Sequence, residues 1–259
     1  MLREIVSQSG CISKFLRIIH PDNAQIALVI INRHTQKITE RYTTPAQIPK
    51  YIPYLRHCNA TGGDVYFTPS RLKPQSRKRT KSHFLDLQQI VFLEFDKPNT
   101  LDNLISSNYP CPSAIVASSH GRHHVYWRLK DPISKHRQEE LISNIAFDVG
   151  ADTVAVDTSR LLRLPTFCNK KASRDNFRSS LIYPDQEIVE PTTFDDLASA
   201  VDNYQEVKAS SISSGASRAP CASSSADSTQ SGKDWFMVND MLFAKGDDPH
   251  QVIKWLENQ

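Results

Sequence analysis

Apolar Ile5, Leu16 and Ile19 recur at loosely helical spacing between Leu2 and about Ile19, and His20-Pro21-Asp22-Asn23 stops the pattern, so the chain opens with a helix. Gln25 to Ile31 is a short apolar run rich in β-branched residues, and Lys37 to Thr43 alternates apolar with polar. Two strands joined by the Asn32-to-Gln36 turn are predicted there. Ile48, Tyr51, Ile52 and Leu55 fall on one stripe, which predicts a helix over Gln47 to Cys58, and Thr61-Gly62-Gly63 separates it from a strand over Asp64 to Thr68.

Ile90 to Phe95 is almost unbroken apolar sequence, as expected of a central strand covered on both faces. Ala114 to Ser118 and His124 to Leu129 read as strands around a tight turn at Gly121, and Lys135 to Val149 as a helix closed by Gly150. Further strands are predicted at Val154 to Asp157, Leu161 to Leu164 and Phe177 to Ile182. Helices and strands mix without strict alternation, which argues an α+β domain built on a largely antiparallel sheet.

Ser and Ala dominate from about Lys208 to Gly232 and leave little to bury, so the chain divides into a folded domain over 1–206, a flexible linker over 207–232 and a helical segment over 233–259. In the last segment Asp234 to Lys245 ends at Gly246, and Asp247-Asp248-Pro249 caps a second helix. Two helices of this size cannot form a core alone, so they dock on the main domain or begin a module of which only part is present.

At 259 residues and 39% apolar content the chain is long enough for one substantial core. No apolar run approaches the roughly 20 residues that span a bilayer, and charges interrupt the start Met1-Leu2-Arg3-Glu4, so no membrane association is expected and a cytoplasmic location is. Cys11, Cys58, Cys111, Cys168 and Cys221 lie far apart, with no Cys-x-x-Cys pair, and signal neither a disulfide frame nor a zinc site. A net charge of +3 neither demands nor excludes nucleic acid. Its distribution says more. Arg71, Lys73, Arg77, Lys78, Arg79 and Lys81 crowd one stretch, and Arg160, Arg163, Lys170, Lys171, Arg174 and Arg178 another. Such runs attract phosphates, although a solvated loop has the same composition.

Three constellations carry chemistry. In Phe92-Leu93-Glu94-Phe95-Asp96, strand alternation puts Glu94 and Asp96 on one face, about 7 Å apart. Two like charges so placed are favoured by a cation between them, and hard ions such as Mg²⁺ prefer carboxylate oxygens; a pair facing solvent or salt-bridged is the plain alternative. Next, Ser118-Ser119-His120-Gly121-Arg122-His123-His124-Val125-Tyr126-Trp127 forms a hairpin whose second strand aligns His124, Tyr126 and Arg128. His124 there can hold a phosphate oxygen or shuttle a proton, whereas His120 and His123 read as surface residues. Last, Asp157 ends a predicted strand and Arg160, Arg163, Lys170 and Lys171 follow. If Asp157 joins Glu94 and Asp96, three acids can hold two divalent ions while Arg160, Arg163 and Lys171 neutralise a triphosphate; Arg163 in a structural ion pair is the competing reading.

Taken in order, the acid-x-acid strand, the Ser- and Gly-containing turn leading to a His, and the strand-end Asp resemble the three motifs of the archaeo-eukaryotic primase superfamily. Ser119-x-Gly121-x-x-His124-Val125-Tyr126-Trp127 with Asp157-x-Ser159-Arg160-Leu161-Leu162-Arg163-Leu164-Pro165-x-x-x-Asn169-x-Lys171 is similar to the RepB-type primases of plasmids and other mobile elements. The likeness runs from about Asp64 to Lys171, and Lys233-Asp234-Trp235 with Gly246-Asp247-Asp248-Pro249 looks like the start of that family's helical C-terminal module.

The resemblance implies a catalytic core with an RRM-like sheet, two-metal nucleotidyl transfer with Mg²⁺ or Mn²⁺, and synthesis of short primers on a single-stranded DNA template from nucleoside triphosphates, in company with a replicative helicase and polymerase. It assigns Glu94, Asp96 and Asp157 as metal ligands and His124 to the incoming phosphates. Ser119, Arg160, Arg163, Asn169 and Lys171 belong by the same resemblance to the nucleotide site, and Arg71, Arg77 and Arg79 are DNA-binding candidates. The sequence departs from the family in having Glu94 where relatives more often have Asp, and Thr166 after Pro165 where relatives often have Gly. One rival is a replication-initiator module that binds single-stranded DNA without turnover. A strand-nicking relaxase is disfavoured because His120, His123 and His124 lack that family's His-hydrophobe-His spacing.

Overall fold

In the computed structural model, residues 2–97, 100–184 and 190–201 are described. The predicted linker and C-terminal helices lie outside them. The elements run α1 (Leu2–Ile19), β1 (Ile26–Asn32), β2 (Ile38–Thr43), a 3₁₀ turn (Pro45–Lys50), α2 (Ile52–Ala60), β3 (Gly63–Phe67), a short 3₁₀ turn (Lys81–His83) and β4 (Leu87–Phe95). They continue as α3 (Leu101–Ile105), β5 (Ala114–Ser119), β6 (Arg122–Ser134), α4 (Lys135–Val149), β7 (Leu162–Arg163), a third 3₁₀ turn (Ala172–Arg174) and β8 (Ser180–Tyr183).

The strands form two four-stranded sheets in place of the one anticipated, in the orders β2-β1-β3-β7 and β4-β6-β5-β8, and every ladder is antiparallel. α1 joins them. Its stripe Ile12, Phe15, Leu16 and Ile19 is fully buried, and the Phe15 ring meets Phe67 of β3 and Tyr126 of β6 edge-on at centroid distances of 5.5 and 5.3 Å. α4 begins and ends where its sequence signals put it. The Ser134 hydroxyl accepts the Arg137 N–H at 3.3 Å, and Gly150 takes the left-handed conformation (φ 73°) just past the last turn.

Three expectations are corrected. The helix predicted over Gln47 to Cys58 splits into the Pro45–Lys50 turn and α2, because Pro49 and Pro53 have no N–H to continue an α-helical ladder. β4 is buried on both faces but stands at the end of its sheet rather than at the centre. Its free edge is covered by polar groups: the Gln138 side-chain amide donates to the Ile90 carbonyl at 2.7 Å and the Asp152 N–H to the Glu94 carbonyl at 2.8 Å. Val154 to Asp157 is a chain of turns, not a strand. Asp152 Oδ1 accepts the Val154 N–H at 2.9 Å, and Glu139 on α4 takes both the N–H and the hydroxyl of Thr158 at 2.8 Å, so local polar bonds replace a ladder.

Candidate active site

β4 delivers Glu94 to a cleft at the end of the sheet, and Asp96 follows just beyond the strand. Directly opposite Glu94 on β6 is His124, and the β5–β6 turn adds Ser118 and Ser119. Arg163 of β7 and the loop that follows it close the other side with Asn169, Lys171 and Arg174, and Tyr66 reaches in from β3. Seven residues singled out in the sequence therefore line one cleft: Glu94, Asp96, Ser119, His124, Arg163, Asn169 and Lys171.

The acids are held by arginines. Glu94 Oε2 accepts from Arg160 Nε at 3.1 Å and Nη2 at 2.5 Å, while its Oε1 stands 3.8 Å from His124 Nε2. Asp96 Oδ1 faces Arg122 at 3.4 Å and Arg174 at 3.6 Å, and its side chain is 58% exposed. Burial, reinforced by the charges of Arg163, His123 and Arg160, lowers the His124 pKa to about 3, so the ring is neutral. A neutral imidazole can donate one N–H to a phosphate oxygen; a proton shuttle at neutral pH does not fit this setting. Burial and then the neighbouring Arg163 and Arg33 also lower the Lys171 pKa.

Asp157 is not among the residues lining the cleft. Its Oδ1 accepts the Ser159 N–H at 3.0 Å and the Ser159 hydroxyl at 2.5 Å. The carboxylate tied most directly to Glu94 is one that no sequence motif marks, Asp152, whose Oδ2 is 3.5 Å from the same Arg160 nitrogen that holds Glu94. Among the described residues no three His, Cys, Asp or Glu side chains are grouped closely enough to hold a metal ion.

The model of the RepB DNA-primase N-terminal domain matches residues 32–183, well over half of the chain. The chain belongs to the RepB primase family. The crystal structure of primase RepB′ superposes with a TM-score of 0.57 at 16% identity, covering 80% of this chain and 66% of that one. The catalytic domain of primase RepB′, in complex with initiator DNA, gives 0.56 at 15% identity, over 81% of this chain and 99% of that one. The archaeo-eukaryotic primase domain of the cyanophage S-2L primase-polymerase gives 0.57 at 16%, over 74% and 96%. No curated protein matches the chain. At such identities the likeness is one of fold: this RepB-type chain shares the α+β fold of these primase domains.

In this RepB-type domain Arg163 lines the cleft but is also part of the scaffold. Nη1 donates to the fully buried Asp64 at 2.7 Å, and Nη2 donates to Asn169 Oδ1 at 2.6 Å and to the Tyr66 hydroxyl at 3.0 Å. Asp64 also accepts from Arg33 and, at 2.7 Å, from the Lys170 N–H. Burial works to raise the Asp64 pKa, but the Arg163 bond and charge, then Lys170 and Arg33, outweigh it and hold the carboxyl below its usual range. Asn169 is positioned by this hub, and its Oδ1 accepts the Lys171 N–H at 3.1 Å.

Thr166, which stands where the resemblance implies a glycine, falls at a strained backbone position. Its φ is 77°, a left-handed conformation that a β-branched residue adopts at a cost of roughly 1–3 kcal/mol. Thr166→Gly is expected to raise stability by about 1 kcal/mol, net of the extra chain entropy of glycine, read as a higher denaturation midpoint at unchanged slope.

None of the three DNA-binding candidates lines the cleft. Arg79 is 3.1 Å from Glu40 on β2, and Arg77 borders a second, open groove with Tyr42 and Tyr51. Arg71 lies half-buried beside β4. No described helix is long and apolar enough to cross a membrane.

Proposed function

We propose that this domain is the catalytic part of a DNA primase, joining nucleoside triphosphates into a short primer on single-stranded DNA by divalent-cation-dependent nucleotidyl transfer. The supporting observation is the charge arrangement of the cleft. Two carboxylates, Glu94 and Asp96, stand among Arg122, Arg160, Lys171 and Arg174, so cationic side chains outnumber acids where a triphosphate would lie. The RepB′ catalytic domain, whose fold this chain shares, forms a complex with initiator DNA, which fits the same reading.

The residues present suit Mg²⁺ or Mn²⁺ in kind: both acids offer hard oxygen donors, and neither is sealed away from solvent. In this reading Glu94 and Asp96 are ligands, with Asp157 as the third acid. Divalent cations held there would stabilise the attacking 3′-oxygen and the leaving pyrophosphate. Arg160, released from Glu94, turns its guanidinium to the phosphates, and Lys171 and Arg174 neutralise the rest of the triphosphate. His124, neutral and buried, donates its N–H to a phosphate oxygen, and Ser119 borders the same space. Arg163 acts through Asn169 and Tyr66 rather than by leaving Asp64.

A second reading of the third ligand rests on one observation, the sharing of Arg160 between Asp152 and Glu94. Primer synthesis on single-stranded DNA with labelled nucleotides and Mg²⁺ or Mn²⁺ separates the two. Asp157→Ala is expected to abolish incorporation and Asp152→Ala to retain most of it. The reverse pattern transfers the role to Asp152, and unchanged synthesis in both rejects an acidic centre completed from this loop. Metal-independent DNA binding without any incorporation in the wild type would leave the chain a non-catalytic initiator module.

A further inference from the structure

Most buried and half-buried arginines among the described residues have an acidic partner: Arg33 and Arg163 share Asp64, Arg79 pairs with Glu40, Arg160 with Glu94, and Arg122 and Arg174 with Asp96. Arg71 and Arg128 break this rule. Arg71 is fixed by its backbone to the free edge of β4, its N–H donating to Gln88 Oε1 at 2.8 Å and its carbonyl accepting from Gln88 Nε2 at 3.0 Å. Arg128 lies on the neighbouring strand β6, opposite Ile90, two residues along β4 from Gln88. Both are half-buried, and among the described residues neither has a carboxylate within ion-pair distance.

Their common neighbour is His20, just past the end of α1. It is 2% exposed, its Nε2 has no hydrogen-bond partner among the described residues, and the Nε of Arg71 is likewise buried and unpartnered. Burial, with the neighbouring charges of Arg71 and Arg128, lowers the His20 pKa to about 3. Burial and the charge of Arg128 lower the Arg71 pKa as well. Two guanidiniums close to one buried imidazole, with His20 Nε2 and Arg71 Nε both unpartnered, are an unfavourable arrangement unless an anion completes it.

We propose that His20, Arg71 and Arg128 form a second phosphate-binding site, separate from the catalytic cleft, which takes a phosphate group carried by a nucleic-acid strand or by a free nucleotide. Guanidinium forks match phosphate oxygens in pairs, and the neutral imidazole supplies a further N–H. The site is distinct from the cleft: Arg128 is on the same face of β6 as His124 but four residues on, roughly 13 Å along the strand, with the buried Tyr126 between. Arg71 also opens the run Lys73, Arg77 and Lys78, all exposed, which gives a strand's following phosphates a continuation that a free nucleotide would not use.

The test measures thermal unfolding of the full chain in phosphate and in chloride at matched pH and ionic strength, so it is independent of nucleotide incorporation. Phosphate at several times its Kd is expected to raise the wild-type Tm by about 2–4 °C. In Arg71→Gln and in Arg128→Gln that rise should be clearly smaller than in the wild type, the remainder being phosphate held in the catalytic cleft, while the Tm in chloride holds or increases because one of two neighbouring cations is gone. A short single-stranded oligonucleotide and a nucleoside triphosphate, titrated against the same variants, identify the source: weaker oligonucleotide binding with a salt slope smaller by about one assigns the site to a strand, and weaker nucleotide binding alone assigns it to a free nucleotide. A phosphate-induced rise as large in both variants as in the wild type, or absent from the wild type, overturns the proposal. So does a lower Tm in chloride with the phosphate response intact, the result of a purely structural role.

Discussion

Asp96→Ala is expected to lower nucleotide incorporation on single-stranded DNA by about 10³-fold or more, while the Tm stays within about 2 °C of the wild type. The loss follows from what the carboxylate does in the proposed reaction. A ligand that helps to hold charge-stabilising cations contributes several kcal/mol to the transition state, and each 1.36 kcal/mol is about tenfold in rate. The small stability change follows from the structure: the Asp96 side chain is 58% exposed and its arginines stand 3.4 and 3.6 Å away, a surface arrangement worth about 1 kcal/mol or less. A fall in rate accompanied by unfolding would point to a structural role instead. Circular dichroism and unfolding of the variant, measured beside incorporation, separate the two.

Asp64→Asn gives the opposite profile, a large effect on stability. The carboxylate is fully buried, and its removal leaves Arg163, itself 6% exposed, as a buried charge without its counter-ion. Breaking such a pair from one side costs about 3–5 kcal/mol, and here Arg163, which holds Asn169 and Tyr66, also loses the carboxylate that fixes it. The same group sets an acid limit. Its folded pKa lies below its unfolded value of about 3.9, so its stabilisation is complete above that pH and is lost as pH falls through the lowered folded pKa. Denaturant midpoints measured from neutral pH down through this range should therefore fall less steeply in Asp64→Asn than in the wild type. Equal slopes would show that Asp64 is not ion-paired as described.

How much of the fold and the site is legible in the sequence depends on how local each signal is. α4 is readable at both ends because Ser134 and Gly150 act within their own helix turns, and strand alternation gives the faces of Glu94 and of His124, while their register across two strands is visible only in the fold. Two sheets cannot be told from one, since β7 is only two residues long and its partner β3 lies far back in the chain. The alternating pattern of Val154 to Asp157 imitates a strand, while Asp152 and Glu139 fix that segment as turns. A carboxylate at the start of an apolar strand, as Asp64 is, signals a partner; the partner, Arg163, comes from a distant element and only the fold reveals it. Asp152 is hidden for a similar reason: what makes it notable is Arg160, which the sequence marks only as a phosphate ligand.

The central claim, that Glu94 and Asp96 belong to a cation-dependent nucleotidyl-transfer centre, is tested most directly by crystals soaked with Mn²⁺ and a non-hydrolysable nucleoside triphosphate. Anomalous scattering is expected to place manganese within about 2.5 Å of oxygens of both carboxylates, with a second ion roughly 4 Å away and the triphosphate against Arg160, Lys171 and His124. A triphosphate bound elsewhere, or manganese absent from these carboxylates while Arg160 still holds Glu94, would contradict it.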